Sequence, residues 1–131
     1  DRQRLLDDPT MIPTAVEEFL LAYSIVPMAR KLTQDFEFHG CPSKKGDMVM
    51  LNIPAAARDP HEFPDADKVI IDRTPNRHIT FGASEHRCVG SHFARAELII
   101  AVEEWLKAIP NFRIATDEPS DALFEQAIDV A

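Results

Sequence analysis

No run of eighteen apolar residues occurs in the chain, so no segment is predicted to cross a bilayer as a helix. Cysteine is scarce. Cys41 and Cys88 allow at most one disulfide, which excludes the cystine framework of a small secreted domain and favours a reducing, cytoplasmic setting. An excess of basic charge is missing too: the net charge of -8 argues against a general binder of nucleic acid or anionic membrane. The chain opens on Asp1, without an initiator methionine or a signal pattern, and is expected to be a piece of a longer protein. Internal repeats and low-complexity tracts are also absent. What remains is 131 residues with 45% apolar and 27% charged side chains, the balance of one small soluble unit with a modest core.

Helical periodicity appears twice. "IPTAVEEFLLAY" places Ile12, Ala15, Val16, Phe19, Leu20 and Tyr23 on one face and predicts a helix over about 13–23. "SHFARAELIIAVEEWLKAI" carries Phe93, Ala94, Leu98, Ile99, Val102, Trp105 and Leu106 and predicts a longer helix over 91–108, stopped by Pro110. Between them, alternation around Leu32, Phe36 and Phe38 and a Lys-Gly-Asp turn predict two or three short antiparallel strands, over 30–41 and 47–53. Residues 1–11 read as a loop or a helix end. From Pro54 to Asn76 the text is rich in Pro, Asp and Ala and has no sustained period, a long irregular connection of the kind that often carries function.

The densest chemistry lies in "FGASEHRCVG", Phe81 to Gly90. Cys88 stands two residues before the long helix, where the helix N-terminus and backbone N–H groups favour a thiolate, and Arg87 adds a cation. Gly82 and Gly90 permit close backbone approach to something flat or bulky. These features suit a sulfur meant to be an anion, as nucleophile or metal ligand. A buried structural cysteine is the bland alternative.

This stretch resembles the haem-binding loop of the cytochrome P450 family, whose pattern is roughly Phe-Gly-x-Gly-x-His-x-Cys-x-Gly. The resemblance extends from Pro9 to Ala115 and looks like the soluble bacterial members. It implies the α+β, C-terminal part of that fold: a short core helix, a small antiparallel sheet, an irregular meander, a cysteine-ligand loop and a long helix. Residues 1–131 would form a single partial domain, with 116–131 a divergent tail outside the family pattern. By the same resemblance, haem b is held through the Cys88 thiolate. Arg30 and His86 contact its propionates, and His78 stands where a loop histidine is common. Phe81 packs near the sulfur beside Gly82, and Gly90 opens the helix beneath the ring. Val26 and Met28 line the side of a small apolar organic substrate. Glu18 and Arg73 belong to the family's buried charge network. The reaction implied for a full-length protein is insertion of one atom of O2 into that substrate, and the family's oxygen-activating helix has no counterpart in this sequence.

Two positions depart from the pattern. Leu21 replaces the arginine of Glu-x-x-Arg, which leaves Glu18 with Arg73 at best, and a buried carboxylate short of a partner costs about 3–5 kcal/mol. Ser84 replaces the loop's second glycine, at roughly 1–2 kcal/mol if the backbone there is left-handed. Four arginines (Arg73, Arg77, Arg87 and Arg95) against one acid, Glu85, suggest a basic face for a ferredoxin-type electron donor. Two other readings stand beside this one. The chain is a degenerate or truncated fragment that binds nothing, or the pairs His39/Cys41 and His86/Cys88 hold a zinc ion, against their tight spacing.

Overall fold

The computed structural model describes residues 1–112. Helix α1 spans Arg2–Asp7, and a 3-10 turn over Pro9–Met11 leads directly into helix α2, Ile12–Ala22. The Asp8 carboxylate accepts the Thr10 N–H and starts the turn. Pro13 sits in the first turn of α2, where a missing N–H breaks no helical bond. The helix expected over 13–23 is therefore present, one residue earlier at each end. Its buried face differs from the expected one. Glu18 and Leu21 are fully enclosed at 0% exposure, while Tyr23 is 62% exposed. A charged residue reaches the interior because Arg73, from the irregular segment, covers it.

Four strands replace the two or three expected. β1 (Met28–Lys31) pairs antiparallel with β4 (Met48–Leu51), Met28 facing Leu51. β2 (Phe36–Phe38) and β3 (Cys41–Ser43) form a separate hairpin, with Phe38 facing Cys41. Strand pairing breaks after Lys31. Leu32 still donates to Asp47 and accepts from Gly46, both at 2.9 Å, and the chain then turns away into the hairpin. Gly46, in the Lys-Gly-Asp turn, has φ 98, which a side chain would oppose.

A short helix α3, Ile53–Ala56, was not legible as a period; the Asn52 side chain caps it by accepting the Ala55 N–H. Residues 57–81 then run as successive turns around the end of α2. Leu21, Ala57, Phe63 and Ala66 pack into one small cluster there. The main core joins Leu5, Ile12, Ala15 and Val16 to Ile71 and Leu106. Helix α4 spans Ser91–Ala108, as periodicity predicts. Few of its apolar residues are covered: Phe93 is 69% exposed and Trp105 51%. The tail expected to diverge, 116–131, lies outside the described residues.

Candidate functional site

Between β1, α3 and the start of α4 the chain forms a loop held by its own backbone. Gly82 N–H donates to Ile79 O and Cys88 N–H to Phe81 O, both at 2.7 Å. Ser84–His86 makes a 3-10 turn, and the Ser91 N–H closes onto Cys88 O at 3.2 Å. Gly82 has φ 73, and a Cβ there would lie 3.2 Å from His86 O, so glycine is required twice over. Ser84 has φ 56, the left-handed backbone that makes its replacement of glycine costly. Gly90 is different. It caps α4 at φ -80, and a Cβ there would meet only Cys88 Sγ at 3.8 Å.

Two open cavities adjoin along one side of this loop. One, of about 500 Å³, is walled by Cys88, Phe81, Thr80, Val26, Leu20 and Ile25 among others. The other, of about 480 Å³, is walled by Arg30, Ile53, Met50, Leu51, Ile79 and Ala83 among others. Met28, Gly82 and His86 line both. The lining is mostly apolar, with few polar groups converging on it, as in a site for a large apolar ligand. Arg30 is its cation, and His86 adds an imidazole. The Arg30 guanidinium donates only to Ala29 O, at 2.9 Å, and faces no carboxylate among the described residues. His86 is exposed and stands 3.9 Å from Glu85. The face thus gathers Cys88, Phe81, Gly82, His86, Arg30, Val26 and Met28, seven of the residues singled out in the sequence. His78 is not on it. Its side chain is 1% exposed, with one ring nitrogen toward Glu17 and the other toward Thr80.

Glu18 is better provided for than Leu21 led one to expect. Its oxygens accept from Arg73 Nε at 2.8 Å and Nη2 at 3.3 Å, from Ile70 N–H at 2.8 Å, and from Asn76 Nδ2 at 3.2 Å. The expected uncompensated carboxylate is therefore corrected: a backbone donor and an amide stand in for the absent guanidinium. Arg58 supplies a further tie, donating to Ala22 O at 2.7 Å at the end of α2 and also to Ala66 O. Neither Ile70 nor Asn76 carries a sequence signal for this role.

A second carboxylate, Glu17, was also missed. It takes Arg95 Nε and Nη2 at 2.6 and 2.9 Å and His78 Nε2 at 3.0 Å. Burial alone would push the Glu17 carboxyl up, but hydrogen bonds from Arg95 and His78 outweigh it and hold the group below the usual carboxylate range. Burial also holds His78 below the ordinary imidazole value, with Glu17 opposing in part. The Nδ1 of His78 accepts the Thr80 N–H at 3.2 Å, which assigns the proton to Nε2. The basic face shrinks accordingly. Arg73 and Arg95 are paired, and Arg77 and Arg87 remain exposed without a carboxylate within 4 Å among the described residues. The zinc reading finds no support in the geometry, since no three His, Cys, Asp or Glu side chains of the described residues converge.

Solved structures define the class. The cytochrome P450 PksS of the bacillaene synthase of Bacillus subtilis superposes with a TM-score of 0.81 at 43% identity, covering 83% of this chain and 29% of that one. A mutant of the mixed-function P450 MycG, bound to mycinamicin IV, gives 0.81 at 38% identity over 90% of this chain and 30% of the other. The family profile described as Cytochrome P450 matches residues 3–126, and the chain belongs to that family. It is 42% identical over 113 residues to the probable cytochrome P450 127A1 of Sinorhizobium fredii, covering 86% of this chain and 27% of the relative. It is 38% identical over 120 residues to the mycinamicin IV hydroxylase/epoxidase of Micromonospora griseorubida, covering 89% and 30%. The chain thus spans less than a third of the curated relatives' length. Among the described residues no helix is long and apolar enough to cross a membrane.

Proposed function

We propose that this chain is the haem-ligating, C-terminal part of a cytochrome P450 monooxygenase, with Cys88 as the thiolate ligand of the iron. The position of Cys88 carries the reading. It lies in the wall of an apolar cavity of about 500 Å³, on a loop whose N–H groups and glycine backbone hold it there. The residues fit a flat apolar group with two anionic arms. Gly82 leaves room that a Cβ would fill, Met28, Ile53 and Ile79 offer apolar surface, and Arg30 has donors to spare for a propionate beside His86.

Haem b, when bound, supplies the O2 chemistry by which one oxygen atom enters a C–H or double bond of an organic substrate. The chain's own residues hold and shield. Cys88 would offer the sulfur, with Phe81 beside it in the same cavity wall, and Gly90 caps the helix that follows. Val26 and Met28 face a small apolar substrate. His78, expected among the cofactor-binding residues, is assigned to holding the loop instead, because both its ring nitrogens are engaged by protein. A ferredoxin-type donor, steered by Arg77 and Arg87, would supply electrons in the cytoplasm. Oxygenation itself belongs to a protein of the relatives' length.

The test is reconstitution of the chain with haemin, reduction, addition of carbon monoxide and recording of the Soret band, with Cys88→Ala alongside. A strongly red-shifted band that disappears in Cys88→Ala is expected. A band unaffected by the substitution rejects Cys88 as ligand, and no band at all favours the degenerate-fragment reading.

A further inference from the structure

Glu17 and the cysteine loop are linked through contacts that none of the roles above requires. Arg95, in the second turn of α4, donates to Glu17 through two nitrogens and to Ser91 O at 3.3 Å through the third. Its Cζ lies 4.8 Å from the centroid of the Phe81 ring. The Phe81 carbonyl in turn accepts the Cys88 N–H at 2.7 Å. On the other side, His78 accepts the Thr80 N–H, and the Thr80 hydroxyl donates to Leu20 O of α2 at 2.8 Å. One carboxylate on α2 therefore grips the loop twice, through a guanidinium on Phe81 and through an imidazole on Thr80.

A guanidinium over an aromatic face slides and tilts unless its plane is fixed, and a two-point bond to a carboxylate fixes it. We propose that Glu17 is a positioning residue for Cys88: with Arg95 and His78 it sets where the Phe81 ring and carbonyl stand relative to the cysteine sulfur, and so how that sulfur donates to a bound iron. The proposal rests on the reading of Cys88 as haem ligand. Hydrogen bonding and solvent exclusion around a ligating sulfur set its donor strength and the potential of its metal. Cys88 is itself exposed, so the grip acts through the backbone: releasing Arg95 frees the Phe81 ring and loosens the carbonyl that orients the Cys88 amide.

The test uses the full 131-residue chain with Cys41→Ser, so that Cys88 is its one thiol. The parent, Glu17→Gln and Arg95→Lys are compared by the rate at which iodoacetamide alkylates Cys88 in the haem-free chain. After reconstitution with haemin they are compared by midpoint potential and by the Soret band of the reduced carbon monoxide complex. Arg95→Lys keeps the charge and loses the fork and the flat stack. Arg4→Met cuts the exposed Arg4–Asp72 pair and controls for the loss of an ion pair as such. Glu17→Gln and Arg95→Lys should each change the alkylation rate several-fold and in the same direction, without adding in the double variant, and move the potential in one direction. A tenfold change in relative affinity for the two iron states would read as about 59 mV. Arg4→Met should match the parent in both. If Glu17→Gln does not fold, Arg95→Lys and Phe81→Leu carry the comparison. Parent-like rates and potentials in these variants overturn the positioning role, even where the parent shows the red-shifted band. A parent without that band overturns the haem reading, and the alkylation rates still decide whether Glu17 holds the loop.

Discussion

A carboxylate cut off from water needs its donors supplied by the protein, and Glu18 has four of them. Arg73→Met removes two at once and leaves a buried charge, so unfolding in urea should show a loss of about 3–5 kcal/mol. Returning the family's arginine at Leu21 should not help this chain. Carbonyls around the Leu21 cluster are already taken: Pro64 and Asp65 by Arg73, Ala22 and Ala66 by Arg58. Leu21→Arg would also empty the cluster with Ala57, Phe63 and Ala66, and a destabilisation of about 2–5 kcal/mol is expected. A variant more stable than the parent would show that the network is open after all. His78 adds a dependence on pH. Its folded value is depressed, chiefly by burial, so the unfolded chain takes up the proton first as pH falls. The stability it lends is present above about pH 6.5 and is lost as pH drops toward the folded value. Glu17, also depressed, brings a second loss below about pH 4.3. Urea midpoints measured between pH 7.5 and about 2.5 should fall in these two stages, and His78→Gln should remove the first. A flat profile from pH 7 to 5 would rule out the assignment.

At the level of elements, what the sequence reveals depends on how local the cause is. Helices α2 and α4 announce themselves because their apolar spacing is a property of adjacent turns, and the loop around Cys88 because its residues are contiguous. Helix α3 is a single turn set by the Asn52 cap, too short to show a period. The strand over 30–41 looks continuous because alternation persists, yet pairing is decided by Asp47 and Gly46, fifteen and fourteen residues beyond Leu32. The charge clusters are least legible. Glu17 meets Arg95 across 78 residues and Glu18 meets Arg73 across 55, and only the folded path selects which neighbouring glutamate takes which arginine. The β2–β3 hairpin stands apart from all of this. Nothing lies within 4 Å of a Cβ built on Gly40 at its turn. Inserting two residues after Gly40 should change the unfolding free energy by less than about 1 kcal/mol, as judged from denaturant midpoints. A larger loss would mean that the hairpin is tied into the body of the fold.

Across the molecule, the described residues leave much apolar surface uncovered. Val89, Phe93, Ile100 and Trp105 stand exposed along the start and outer sides of α4, and Phe36, Phe38, Met48 and Met50 on the strands. Helices apolar on several sides belong in the interior of larger structures, in keeping with relatives more than three times as long. Alone, such patches associate. Sedimentation velocity over a micromolar concentration series should show mass rising with concentration, reduced by Phe93→Ser together with Trp105→Ser. A concentration-independent monomer would count against it.

Glu17 and Glu18 are neighbours in one helix, separated by about 100° of rotation, and they anchor two different stretches of chain. Adding a single residue between Pro13 and Glu17 would turn both carboxylates by that angle at once, so that Glu17 pointed where Glu18 had and Glu18 where Phe19 had; a deletion would turn them the other way. The length of this short segment is thus locked by geometry in a way that no single side chain displays, whereas the hairpin nearby is free to grow. Insertions and deletions should be tolerated at Gly40 and lethal to folding ahead of Glu17.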